Sequence, residues 1–252
     1  MSYVIGANIG DGCTITDNWI VKLEVADLDF AEAFNDNLAA LFSRTDPNKI
    51  LVHRFKVDRL PMYVVRYSCK QLVRLLRLPL RRVLEIAFAY PCEFLRGFFD
   101  AEGHVDVGIG RYLFLSVGAE NSDRSLLRRV KQLLEEALEI NCTIHSKRKA
   151  GSVKIIRGKA FVMRRTSYSL IIAGIEDVKR FARTVNFSIH RKAQKLRDVL
   201  SIITSFAPKD RQAAWKRLYN KQSGEWIRKD STSLPSSKGI KPELLGLYRP
   251  GR

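Results

Sequence analysis

The sequence predicts an α+β protein: two pseudo-symmetric αββαββα repeats, each folding an antiparallel four-stranded sheet, joined at a central two-helix interface. Three observations carry that prediction. A short string of small residues, an acid and a glycine occurs twice, and the order of helix-like and strand-like segments after each copy is the same. Such repetition marks a duplicated folding unit. The chain is also 46% hydrophobic while carrying a net charge of +18, which fits a buried core that faces a polyanion, most commonly nucleic acid.

The clearer copy is Phe94-Leu95-Arg96-Gly97-Phe98-Phe99-Asp100-Ala101-Glu102-Gly103. Gly97 and Ala101 are four apart, so a helix puts both on one face, where a second backbone can come close. Gly103 ends the helix, and Glu102 then faces the negative end of the helix dipole, an unfavourable place for a carboxylate that a bound cation would explain. The second copy is Val4-Ile5-Gly6-Ala7-Asn8-Ile9-Gly10-Asp11-Gly12, with Gly6 and Gly10 again four apart. If the small faces pack together, Asp11 and Glu102 end side by side, and divalent ions relieve the repulsion. Taken once, the string is usually a core helix with a capping acid; two copies 91 residues apart (102 − 11), in a basic chain, favour the metal site.

Only a short helix fits before Gly12. Residues 13–16 and 19–25 read as a hairpin turned at Asp17-Asn18, and 28–42 carry Phe30, Phe34, Leu38 and Leu41 at amphipathic spacing. After the break at Asp46-Pro47-Asn48, a second hairpin joins 50–57 to 62–68. Residues 70–90 are helical, with a bend or interruption at Pro79. Pro91 opens the second copy, followed by a hairpin over 104–109 and 112–117, a helix over 126–138, a long hairpin over 142–173 with Gly151 and Gly158 as turns, and two helical pieces over 175–206. The expected organisation is 1–90 as first repeat, 91–206 as second and 207–252 as a basic C-terminal extension. That extension holds eleven Lys or Arg against four acids, with Trp215, Tyr219, Trp226 and Tyr248 interleaved. It either clamps nucleic-acid backbone or packs on the second repeat.

Each repeat can place its two hairpins in one sheet, with one face on helices and one free. Between 147 and 165 there are eight cations and no acid: Lys147, Arg148, Lys149, Lys154, Arg157, Lys159, Arg164 and Arg165. The first repeat offers a sparser set of Lys22, His53, Arg54, Lys56, Arg59 and Arg66. A single basic strand is ordinary solvent decoration, but this density suits a β-ribbon in the major groove of a duplex. Other partners fit less well. No run of about 18 apolar residues could span a bilayer, and no leader pattern starts at Met1, so a soluble, intracellular protein without a membrane partner is expected. Cys13, Cys69, Cys92 and Cys142 are scattered, and the four histidines have no ligand spacing, so neither a disulfide framework nor a zinc site is expected.

Both motif copies resemble the motif of LAGLIDADG homing endonucleases. Leu95 to Gly103 is a close match; Val4 to Gly12 is looser, with Ile9 where the family's sixth-position Asp usually stands, while the eighth-position acid is kept as Asp11 and Glu102. Two copies in one chain resemble the monomeric, pseudo-symmetric branch. The resemblance covers residues up to about 206. It implies that the two sheets straddle a DNA duplex as a saddle and that the enzyme makes a double-strand break across the minor groove, leaving short 3′ overhangs. A free-standing, intron-encoded protein fits better than an intein.

Phosphodiester hydrolysis needs an activated water, charge relief and help for the leaving oxygen, which metals on convergent carboxylates supply. The expected ligands are Asp11 and Glu102, with the carbonyls of Gly10 and Ala101, and oxygen donors favour Mg²⁺, with Mn²⁺ as substitute. The resemblance further implies a lysine near the end of a second hairpin, where Lys70 stands, and polar water-positioning residues after the first hairpins, where Asp27 and Glu120 stand. Asp100 is expected to hydrogen-bond within the helix interface. The alternative is a catalytically silent nucleic-acid binder, an RNA maturase or a transcription regulator, and Tyr112, Phe114, Phe161 and Tyr168 keep a base-stacking RNA binder open as well.

Overall fold

The chain begins with α1 (Ser2–Gly10), the hairpin β1 (Gly12–Ile15) and β2 (Ile20–Val25), α2 (Leu28–Leu41), β3 (Leu51–His53), β4 (Met62–Ser68), α3 (Lys70–Leu76) and α4 (Leu80–Ala87). This is a computed structural model, and it describes residues 1–53, 61–156, 159–222 and 224–229. The expected interruption falls at Pro79, which has no backbone N–H to continue α3 and stands as the N-cap of α4. The strands form one antiparallel sheet in the order β1-β2-β4-β3. Alternation along β2 sends Val21, Leu23 and Val25 onto Phe30, Phe34 and Leu38 of α2, and turns Lys22 and Glu24 to the open face.

The second half follows the same plan: α5 (Pro91–Glu102), β5 (Gly103–Ile109), β6 (Leu113–Asn121), α6 (Arg124–Leu138), β7 (Thr143–Arg148), β8 (Val153–Ile156), β9 (Lys159–Val162), β10 (Ser167–Ile172), α7 (Ile175–Thr184) and α8 (His190–Ser205). Its sheet is ordered β5-β6-β10-β7, the first sheet's pattern with β10 in the place of β4 and β7 in the place of β3. Two departures from expectation matter for the site. Strand β6 runs on to Asn121, which carries that amide to the end of α5. The long hairpin over 142–173 is two pieces, because only β7 and β10 enter the sheet, while β8 and β9 pair with each other as a separate ribbon. Gly151, at φ +82°, turns the chain out of β7 as expected; Gly158 falls outside the described residues.

The described part of the extension packs on the second repeat, one of the two expected roles. Helix α9 (Arg211–Leu218) and the hairpin β11 (Tyr219–Gln222) and β12 (Glu225–Arg228) pack on the second half. Trp215 is fully buried and stacks on Tyr219 at 3.9 Å, and Trp226 donates its indole N–H to the Val107 carbonyl at 2.9 Å.

The two halves meet along α1 and α5. A Cβ on Gly6 would lie 2.2 Å from the Phe94 carbonyl oxygen, and one on Gly97 would lie 2.2 Å from the Tyr3 carbonyl oxygen. Backbone touches backbone, so only glycine fits at either place. Contacts run from Tyr3 against Gly97 to Gly10 against Ala101, which makes the helices parallel and brings their C-terminal ends together. Each half also reaches into the other's core. Ile5 packs with Phe94, Leu95 and Phe98, while Ile189, just before α8, packs with Tyr3, Val4 and Phe30. All four cysteines are free. Among the described residues no helix is long and apolar enough to cross a membrane.

Candidate functional site

Where α1 and α5 end, the strands β1 and β5 begin at once, so each helix delivers its last acid to the junction of the two sheets. A Cβ on Gly10 would sit 2.4 Å from the Ala101 Cβ and 3.6 Å from Glu102 Oε1, so the Glu102 carboxylate lies against the residue that precedes Asp11. Burial, and then the charge of Asp11, push the Glu102 carboxyl up to about 7. Asp11 keeps solvent access at the rim; its partial burial raises its carboxyl, against the pull of Lys192. Glu102 thus feels the charge of Asp11, while the acid that raises Asp11 is Asp27.

Asn121 donates to Glu102 Oε1 at 2.8 Å, and its own Oδ1 accepts the Asp123 backbone N–H at 2.8 Å. Because that N–H can only donate, the amide oxygen is fixed on it and the NH₂ must face Glu102. Lys192, from the first turn of α8, is buried beneath the end of α5 and donates to the Asp100 carbonyl at 2.6 Å and the Phe99 carbonyl at 3.3 Å. A cation on those terminal carbonyls offsets the negative helix end that disfavours Glu102. It also lowers the pKa of both acids, while burial pulls its own down to about 8.

Asp100 builds the interface, as expected, rather than joining the acids at the junction. It is buried, accepts the Tyr3 hydroxyl at 2.8 Å and the Ser188 N–H at 2.8 Å, and burial raises its carboxyl. Ile9, its counterpart in the first motif, packs as an apolar residue against the larger core.

Other expected site residues sit differently. Asp27 is near enough to influence Asp11, but both its oxygens accept from Arg191, at 2.7 and 2.8 Å, and that guanidinium lowers its carboxyl. Glu120 accepts from Lys147. Lys70 is a correction. It lies at the start of α3 with its ammonium 5.2 Å from the Trp19 ring, at the end of the sheet where Ile20 pairs with Ser68, whereas Asp11 adjoins the other end, where Gly12 pairs with Leu23. Three ladder steps, about 10 Å, separate those ends. Of the two lysines, Lys192 is the one at the acids.

The expected basic faces are also redistributed. On the first sheet Lys22 stands opposite Arg66 in the β2–β4 register, with His53 nearby, and Lys22 is paired to Glu24. The open face of the second sheet carries acids as well, Asp106 beside His104 and Glu120 beside Lys147 and Arg148. Lys149, Arg164 and Arg165 are exposed beyond the sheet, where the chain passes to and from the β8–β9 ribbon. Arg54, Lys56, Arg59 and Arg157 fall outside the described residues, as do the side chains of Lys154 and Lys159.

The two carboxylates and the helix-end carbonyls could offer a metal only oxygen donors, and among the described residues no cluster of three or more His, Cys, Asp or Glu side chains could hold a metal. That composition fits Mg²⁺, which is commonly bound by one or two carboxylates and completed by water and phosphate oxygens, and it does not fit a zinc site.

A family model described as a LAGLIDADG-like domain matches residues 89–186. The uncharacterized protein MJ0398 of Methanocaldococcus jannaschii is 31% identical over 204 residues, spanning 79% of this chain and 71% of the relative. Among solved structures, I-DmoI in complex with DNA and Ca shares the fold at a TM-score of 0.50 and 19% identity, over 78% of this chain and 95% of that one. Full-length DUF199/WhiA from Thermatoga maritima aligns more weakly, at a TM-score of 0.47 and 16% identity, over 86% of this chain and 64% of that one. By the family model and the Methanocaldococcus jannaschii relative the chain belongs to the LAGLIDADG family, and it carries two motif helices, α1 and α5.

Proposed function

We propose that the protein is a site-specific, metal-dependent endonuclease for double-stranded DNA, a homing endonuclease acting as a single chain. The observation that carries this reading is the junction of Asp11 and Glu102, where two acids are delivered from two halves and burial, with the charge of Asp11, pushes the Glu102 carboxyl up to about 7. Asp11 and Glu102, with the carbonyls of Gly10 and Ala101, would hold Mg²⁺ or Mn²⁺. When bound, the ion would supply Lewis-acid charge relief and a more acidic water.

The chain's own residues do the rest. Asn121 holds the Glu102 carboxylate in one orientation. Lys192 pins the last turn of α5 and keeps a positive charge beside the acids, a positioning role that Lys70 is too far away to fill. The Asp27–Arg191 pair ties the start of α2 to α8 and fixes the rim of the site across the two halves. DNA would lie along the open sheet faces, read by Lys22, Arg66 and the cations around the β8–β9 ribbon; I-DmoI, a homing endonuclease solved on DNA, has the same fold. The repeats are taken as 1–90 and 91–206, with 207–252 as an extension of the second.

The test is a cleavage assay on a pooled library of long duplexes, with Mg²⁺ and with EDTA, sequencing the ends. Discrete Mg²⁺-dependent double-strand breaks with 3′ overhangs at one extended site are the expected result. The full engagement of Asp27 by Arg191 favours a second reading, a catalytically silent nucleic-acid binder. Binding without cuts under both Mg²⁺ and Mn²⁺ would select it, and RNA would be the next ligand to try.

A further inference from the structure

At the outer end of the first sheet, away from the acids, a cup of about 420 Å³ opens among Trp19, Phe42, Arg44, Tyr67, Lys70 and Gln71. Its floor is an unusual residue. Trp19 takes a left-handed conformation, φ +52°, which a bulky side chain rarely adopts, and its carbonyl is held by the Cys69 N–H at 2.8 Å. That backbone turns the indole under two cations, Lys70 Nζ at 5.2 Å and Arg74 Cζ at 5.5 Å from the ring centre. Across the cup Phe42 and Tyr67 stack at 5.8 Å and 14°, with Arg44 Cζ 5.9 Å from the Tyr67 ring. Arg44 and Lys70 line the cup and are exposed, as is Arg74 beside it, and no carboxylate among the described residues lines the cup.

We propose that this cup is a nucleotide-binding subsite that holds one unit of a DNA strand, its phosphate among Lys70, Arg74 and Arg44 and its sugar and base edge against the aromatic walls. Inorganic phosphate would leave the aromatic surface unused, and an apolar ligand would leave three cations without a counter-charge. A nucleotide satisfies both, and cations paired with aromatic rings are the usual means of holding a strand without reading its sequence. The proposal rests on the DNA-binding reading and extends it: the strand would be gripped about 10 Å or more from the acids. It also gives Lys70 a role, anchoring rather than chemistry.

The test is a tryptophan-fluorescence titration of the full chain in EDTA, over a series of KCl concentrations, with a 30-base-pair duplex, dAMP and inorganic phosphate as separate probes. Trp215 is fully buried and Trp226 is bonded to Val107, so a ligand-dependent change reports Trp19, and Trp19→Phe checks the assignment. The duplex should quench Trp19, dAMP should do so weakly, and phosphate should not. Lys70→Ala combined with Arg74→Ala should weaken duplex binding about tenfold at low salt and reduce the log–log salt slope by about two. Arg81→Ala with Arg82→Ala removes equal charge from the exposed face of α4 and should do neither.

Equal loss in both double variants would overturn the cup, since only general charge would be at work. Duplex binding with no Trp19 signal and an unchanged Lys70→Ala/Arg74→Ala variant would overturn it while leaving the endonuclease reading intact. A Trp19 signal with dAMP but none with duplex would assign the cup to free nucleotides and overturn the strand proposal. No binding of duplex by any form would sink both readings together.

Discussion

The two motif helices pack on each other as near-equals, yet they stand in unlike surroundings. The second carries Asp100, a buried acid that clasps Tyr3 from the first half and Ser188 from the approach to α8; the first carries Ile9 at the matching place, packed as an ordinary apolar side chain. Glu102 has Asn121 to orient it, whereas Asp27, close enough to raise the Asp11 carboxyl, is already engaged by Arg191. Lys192, Arg191 and Ser188 all come from the second half. Duplication therefore preserved what both helices must share, the glycine seam and the terminal acid, while one half took over the scaffolding. A centre built this way should treat the two strands of a duplex unequally.

Neutralising the acids one at a time should have the largest effect. Asp11→Asn and Glu102→Gln should each lower Mg²⁺-dependent cleavage by about 10³-fold, or leave one strand nicked, while duplex binding in EDTA stays within about threefold of wild type. Collapse of binding in both would make the pair architectural. Next in size is the asymmetry of the sixth motif position. Asp100→Ala strands the Tyr3 hydroxyl and the Ser188 N–H and should cost about 2–4 kcal/mol in urea denaturation, while Ile9→Val should cost about 1 kcal/mol. Equal losses would mean that Asp100 is no clasp.

Much of the architecture was legible because it is written locally. Glycines four apart, strand alternation and Pro79 act within a few residues, and the sheets follow from them. The site was legible only as far as the two acids. Lys192 stands in His190-Arg191-Lys192, which reads as a solvated helix start; its burial arises because α8 returns beneath the end of α5, some 90 residues away (192 − 102). Asn121 likewise needed β6 to run past 117. Lys70 was misplaced because counting along the chain fixes the element and not which end of the sheet it occupies. Counting cations between 147 and 165 gave their number but not the ribbon that carries part of them beyond the sheet, nor the acids Asp106 and Glu120 on its open face.

Lys192→Met removes the cation that holds both acids down, so the pH midpoint of Mg²⁺-dependent cleavage should move upward; an unmoved profile with a lowered rate would mark a purely structural lysine. For the metal-free protein, the Glu102 carboxyl is near 7 when folded and at the ordinary 4.5 when unfolded. The folded state then holds the proton more tightly, so stability from this group is fully present below about 4.5 and is lost as pH rises through 7. In EDTA, Glu102→Gln should flatten that decline in melting temperature between pH 5 and 8. Metal should restore it at high pH in the wild type alone.

The most direct test of the central claim, that Asp11 and Glu102 form one metal-binding acidic pair, needs no DNA target. Mn²⁺ would be titrated into the wild type, Asp11→Asn and Glu102→Gln at pH 6 and pH 8, with free ion followed by electron paramagnetic resonance. Binding that is clear at pH 8, weaker at pH 6 as the proton on Glu102 competes, and lost in either variant is the predicted result. Equal binding in all three proteins at both pH values would contradict it.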